Sequence, residues 1–345
     1  MTASLSTVLP RSDFLRAPLL ATARPEGYKE WHHVIVQGDG LRLLINFSLT
    51  GEACSGGTTR LVPRVIVAAH DGGWHGVLER YVPAALDVSA DLGTVAVGGT
   101  SLAVRTDGYR IELALPERGV TGRLDLTAAC PPTVVPVNNK PLGCGRLSWI
   151  YVPRLRADGW LQLGSATYRL TAAPAYHDHN WGRFHWGDDF GWMWGSVLPT
   201  SAAAPWSFVL LRMTDRRRLR TLAQALYVWH HDEQVGAFRD ATLRIATTGA
   251  LGIPADLTLP APMRLLLGDA DGVPATITVT GERGGDHVQL IFRPESYARI
   301  AHPSETCLDR SVVLAETAGW ATVAGVLDGK PIDLTAQGIV ELMHG

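Results

Sequence analysis

The sequence predicts an all-β chain of two barrel-like antiparallel domains packed together, on three observations. Apolar and polar residues alternate with period two in many short runs, Gly- and Asp-rich turn signals separate the runs, and helical periodicity is nearly missing. A length of 345 residues fits about two domains. The expected division is a flexible N-terminal segment over 1–25, a first β domain over 26–170 and a second over 171–345.

Taken in order, the first residues offer Leu19-Leu20-Ala21-Thr22-Ala23, which looks like a leader-peptide cleavage site. Arg11, Asp13 and Arg16 interrupt any apolar run before it, so the expectation is a cytoplasmic protein with a frayed start. Tyr109, Ile111, Leu113 and Leu115 alternate with Arg110, Glu112 and Ala114, and 275–280 and 288–292 repeat the pattern, as half-buried strands do. Gly38-Asp39-Gly40, Asp71-Gly72-Gly73, Asp107-Gly108, Ala157-Asp158-Gly159, Gly284-Gly285-Asp286 and Asp328-Gly329 supply the positive-φ positions of tight turns. The best helical candidate is Arg216 to Tyr227, equally readable as a strand running into Trp229. His230-His231-Asp232 then reads as a hairpin tip and Arg216-Arg217-Arg218 as a solvated turn. The seam between domains is expected in the Pro131 to Pro141 stretch or just before Tyr176, with a join near 170 favoured.

Composition narrows the function. Lys plus Arg number 31 against 33 Asp plus Glu, a net charge of −2, which leaves no basic excess for nucleic acid or an anionic membrane surface. No run reaches the roughly 18 apolar residues of a membrane helix. Cys54, Cys130, Cys144 and Cys307 are scattered and read as reduced thiols. No nucleophile elbow, P-loop or dinucleotide-binding glycine pattern occurs, which removes the corresponding hydrolase, NTPase and NAD readings. No cofactor or metal is expected. Tryptophan is the odd entry: 11, against 7 Phe and 8 Tyr.

Residues 176–195 differ from the rest, with three of the twelve histidines and four of the eleven tryptophans. Five tryptophans (Trp181, Trp186, Trp192, Trp194 and Trp206) fall within 26 residues. If the segment begins as a strand, Tyr176, Asp178 and Asn180 share one face and His177, His179 and Trp181 the other. Two chemistries compete. His177 and His179, with His185 or an Asp, could converge on a metal, although two-residue spacing is a weak signal. Alternatively, Asp178 in an aromatic pocket keeps its proton, because burial penalises the charged form, and can protonate an alkene. Indole faces would then stabilise the cation by about 0.5–2 kcal/mol each. The bland reading stays open: Asp178 caps a turn and the tryptophans fill a core.

The run Tyr176-His177-Asp178-His179-Asn180-Trp181-Gly182 resembles the signature of the lipocalin-like superfamily of carotenoid 1,2-hydratases, AttH proteins and related cyclases, some of them Diels–Alderases. Glu30-Trp31-His32-His33 is similar to the family's early strand. Ser148-Trp149-Ile150-Tyr151-Val152-Pro153-Arg154-Leu155, with Gly159-Trp160-Leu161, is similar to its aromatic strand and Pro-Arg-Leu corner. The resemblance implies two lipocalin-like (calycin-type) β-barrels with an apolar pocket. It implies Asp178 as proton donor with Tyr176 beside it, and His32 or His33 as the assisting imidazole, since Ser148 and Arg146 stand where the hydratases carry one. Trp31, Trp149, Tyr151, His177, Asn180, Trp181, Trp192 and Trp194 would line the substrate.

The expected function is therefore a cofactor-independent hydratase or cyclase, a lyase or isomerase acting on an apolar unsaturated small molecule. A soluble barrel suits a polyene, isoprenoid or polyketide-like intermediate of secondary metabolism better than a full carotenoid. Two alternatives stand beside it: a pericyclase that only holds a folded polyene, and a non-catalytic carrier of a hydrophobic ligand.

Overall fold

The structure, a computed structural model, describes residues 16, 26–38, 40–53, 59–131, 133–134, 139–200, 204–267, 272–307 and 309–344. The expected flexible segment 1–25, Arg16 apart, and the Cys54 and Asp39 positions lie outside them. The chain is nearly all strand, as the alternation demands. Two compact units emerge: the first holds most of 1–184 and the second 185–345 together with 39–42 and 69–75. Position 170 falls inside a strand that belongs whole to the first unit.

The first sheet begins with β1 (Tyr28–Gly38), β2 (Leu41–Ala53), β3 (Thr59–His70), β4 (Trp74–Arg80), β5 (Leu86–Val88) and β6 (Thr94–Val97). It continues with β7 (Thr100–Val104), β8 (Gly108–Leu115), β9 (Val120–Ala128), β10 (Thr133–Val134), β11 (Lys140–Leu142), β12 (Gly145–Leu163) and β13 (Ala166–Arg183). Its order is β4-β3-β2-β1-β13-β12-β9-β8-β7-β6-β5, so the late pair β12–β13 is inserted in the middle, beside β1. The sheet curls: Val95 and Val97 of β6 close a crevice against Glu30 and His32 of β1 and Phe47 and Leu49 of β2.

β12 and β13 are 19 and 18 residues long, and bulges between Val152 and Leu155 and between Ala157 and Gly159 bend the ladder. The expected turn at Ala157-Asp158-Gly159 is therefore a bulge within β12. Gly159 has φ +142°, and a Cβ there would sit 2.0 Å from the Arg123 carbonyl oxygen. The glycine serves a close backbone approach and not a reversal.

The second sheet has β14 (Gly191–Pro199), β15 (Trp206–Thr214), β16 (Thr221–His230), β17 (Glu233–Arg239) and β18 (Leu243–Thr248). It adds β19 (Leu257–Leu259), β20 (Thr276–Arg283), β21 (Asp286–Pro303), β22 (Ser311–Leu327) and β23 (Lys330–His344), in the order β17-β16-β15-β14-β23-β22-β21-β20-β18 with β19 on β21. Phe238 of β17 lies over Gly281 of β20, where a Cβ would come within 2.5 Å of the ring, so β17 at one end of the path meets the next-to-last strand across an apolar core. That core takes Trp206 and Phe208 from β15, Phe292 and Tyr297 from β21 and Val340 from β23, each worth about 1.5–3 kcal/mol when buried. Residues 221–227 are strand: Leu226 and Val228 point into this core with period two, which overrides the helical spacing of the leucines. His230-His231-Asp232 is the hairpin tip expected of it, with His231 at φ +57°. In the same unit Arg42, only 3% exposed, bonds His70, Glu295 and the Gly319 carbonyl.

Candidate active site

Strand β13 runs between β1 and β12, so each of its residues has a partner on both sides. Asp178 stands opposite His33 and Tyr151, Asn180 opposite Trp31 and Trp149, and Tyr176 opposite Ile35. Antiparallel partners share a face, so these residues form one patch of side chains. The one-residue offset puts His177, His179 and Trp181 on the other face, opposite Val34, His32 and Glu30 of β1. The alternation expected of the segment is present, and Asp178 sits in mid-strand and caps no turn.

On the first face the Tyr176 hydroxyl donates to Oδ2 of Asp178 at 2.9 Å, and Asn180 Nδ2 donates to Oδ1 at 2.6 Å. Trp149 and Tyr151 pack with ring centroids 4.7 Å apart, and Tyr151 stacks on Tyr176 at 6.2 Å. Asp178 is 4% exposed, and Tyr151 and Tyr176 are fully buried. Asn46 Nδ2 donates to His33 Nδ1 at 3.5 Å. Burial first, and the neighbouring His177 second, pull the His33 imidazole down to about 3, so it is neutral near pH 7. Lys29, buried on the same face, donates from Nζ to the Phe184 carbonyl at 2.7 Å and lies over the Phe184 ring. Trp31 packs edge-on to Phe184.

The second face holds a polar network. Glu30 accepts from the Tyr28 hydroxyl at 2.6 Å, from His179 Nε2 at 2.8 Å and from the Arg16 backbone at 2.5 Å. His179 stacks on His32 with centroids 4.1 Å apart, and His32 Nδ1 shares a 3.0 Å hydrogen bond with His177 Nε2. Tyr109 packs on His177 at 4.0 Å, and Trp181 lies beside His179 under the Arg16 guanidinium. Burial, then the charges His179 and His177 can carry, drives His32 well below the usual imidazole range. The crevice beside Glu30 and His32 is too narrow for a water-sized sphere.

The sequence-expected residues thus divide three ways. Asp178, Tyr176, His33, Trp31, Trp149, Tyr151 and Asn180 come together. His32, His177 and Trp181 stand on the reverse face. Trp192 and Trp194 lie in the second unit on β14, where Trp192 packs with Phe190 and Trp186 and donates from Nε1 to Glu341. Glu316 faces Glu341 across β22–β23, and burial pushes the Glu341 carboxyl up, with the bonds from Glu316 and Trp192 opposing. Sequence reasoning missed Lys29, Asn46, Glu316 and Glu341, and gave Glu30 no role. A charged residue inside an otherwise apolar strand was the available signal for Lys29, Glu316 and Glu341. Among the described residues no group of three or more His, Cys, Asp or Glu is arranged to hold a metal ion, and no helix is long and apolar enough to cross a membrane.

No family model and no curated protein sequence matches the chain. Solved structures do. An AttH-like protein from Nitrosomonas europaea superposes at TM-score 0.61 and 14% identity, over 97% of this chain and 98% of that one. The chain has the AttH-like fold. Kievitone hydratase from Nectria haematococca shares it at TM-score 0.59 and 12% identity, with 92% and 89% of the two chains covered. CghA, solved with Sch210972, shares it at TM-score 0.62 and 12% identity, with 93% and 89% covered. The lipocalin-like all-β architecture expected from the motif is therefore present, and identities this low carry the AttH-like fold alone.

Proposed function

We propose that the chain is a cofactor-independent enzyme that protonates an alkene of an apolar small molecule, with Asp178 as the acid. The carrying observation is the setting of the Asp178 carboxyl, buried, walled by Trp149, Tyr151 and Tyr176, and gripped at both oxygens by different donors. Asn180 Nδ2 can only donate, so Oδ1 is an acceptor and the transferable proton belongs to Oδ2. In the step, the Oδ2–H bond breaks as a C–H bond forms from the alkene π pair, leaving the positive charge on the second carbon. Water or an internal nucleophile adds there, and the proton it releases returns to the carboxylate. Tyr176, within hydrogen-bond reach of Oδ2, shares the charge that develops on the carboxylate. That a hydratase has this fold supports the reaction class. His33, Trp31 and Trp149 complete the wall in this reading, and Asn180 is a positioning residue.

The test is Asp178→Asn, assayed on prenylated and polyene substrates. Turnover falls at least about 100-fold while the melting profile stays near that of the wild type, because the change is nearly isosteric. In deuterium oxide the product gains deuterium at the new C–H carbon. Full turnover by the variant overturns the acid assignment. A product without deuterium points to the pericyclic reaction, and recovery of unchanged ligand to a carrier.

A further inference from the structure

Native proteins pair nearly all of their buried N–H groups, since an unpaired donor forfeits its hydration with nothing in return. The indole Nε1 of Trp149 breaks this pattern. Trp149 is 8% exposed, and its N–H has no acceptor among the described residues. Its position is not arbitrary. Trp149 is the β12 partner of Asn180, one diagonal step from Asp178, and its ring packs against Tyr151, the direct partner of Asp178. The donor therefore belongs to the same wall as the acid, and indole nitrogen can donate but never accept.

We infer that the ligand of this face is an oxygenated unsaturated molecule, whose carbonyl or hydroxyl oxygen accepts the Trp149 N–H, and not a pure hydrocarbon. The inference rests on the reading of the Asp178 face as a ligand site. A hydrocarbon polyene would bury the indole N–H a second time without a partner. A ligand oxygen instead satisfies the donor and fixes the distance between that oxygen and the alkene carbon presented to Asp178. Trp149 is thus a specificity-determining residue: it selects for an acceptor at one end of an otherwise apolar molecule. Sites built to hydrogen-bond a polar group discriminate far more sharply than sites that only measure size.

The experiment uses two matched probes, geranylacetone and the hydrocarbon in which its carbonyl is a methylene, titrated against the full chain by tryptophan fluorescence. The preference for ketone over hydrocarbon is expected to drop about tenfold from wild type to Trp149→Phe, the worth of one hydrogen bond. The Trp149 indole proton, followed by 15N-edited NMR, moves downfield with the ketone and stays in place with the hydrocarbon. Should Phe at this position fail to fold, the benzothiophene analogue of tryptophan removes the N–H alone and gives the same comparison. An unchanged preference in the variant, an indole signal that ignores the ketone, or binding of neither probe up to its solubility limit overturns the inference. Loss of turnover in Asp178→Asn and loss of ketone preference in Trp149→Phe report separately on the acid and on the donor.

Discussion

The two faces of the β1–β13 pair are made from the same kinds of residue and have come to opposite ends. Each buries an acid, histidine and aromatic rings. On the Glu30 face the polar groups bond one another: Glu30 takes three donors, His32 and His177 bond each other, and the adjoining crevice is too narrow for a water-sized sphere. On the Asp178 face both carboxyl oxygens are held, yet the Trp149 N–H beside them has no acceptor among the described residues. Polar residues in a core do not by themselves mark a site. In the proposed reading the Asp178 face differs because its unused donor stands one strand partner away from a buried acid.

The two faces should part most sharply at Glu30. Glu30→Ala strips the acceptor from buried His179 and Tyr28, and should cost about 3–5 kcal/mol of unfolding free energy in urea. Asp178→Asn, on the other face, should cost under about 1.5 kcal/mol, because the amide keeps the shape and one acceptor. If the two losses match, the faces do not differ as described. The next largest effect is of pH. The folded value of His33 near 3 lies below the unfolded value of about 6.5, so the unfolded chain takes up the proton first. Stability then falls by about 1.4 kcal/mol per pH unit from pH 6.5 toward 3 and is unaffected above that range. His33→Gln should flatten this slope in acid denaturation curves. Tyr176→Phe is the smallest change: it removes the donor to Oδ2, and should lower kcat roughly tenfold while stability drops by about 1 kcal/mol. An undiminished kcat would remove Tyr176 from the mechanism.

Much of this was readable in the sequence because the strand period is simple. Alternation alone separated Tyr176, Asp178 and Asn180 from His177 and His179, and it recovered 109–115 and 288–292. Partnership between strands was not readable. Nothing local says that His33, and not His32, stands opposite Asp178, since one residue of register reverses the answer. For the same reason Glu30 sat in a quoted motif with no role. The tryptophan cluster misled through proximity in sequence: the chain passes from one compact unit to the other between Phe184 and His185, so Trp181 and Trp192 are close along the chain and belong to separate cores. Glu316 and Glu341 are 25 residues apart in sequence and meet only through the hairpin of β22 and β23.

The uneven grip on Asp178 has a stereochemical consequence. Asn180 donates to one carboxyl oxygen and Tyr176 to the other, so in the proposed reaction the acid would deliver its proton from Oδ2, at a fixed place on one wall. An alkene anchored against that wall would receive hydrogen on one face only. A prochiral double bond would leave as a single enantiomer, and chiral chromatography of the product would read which of its faces meets Asp178.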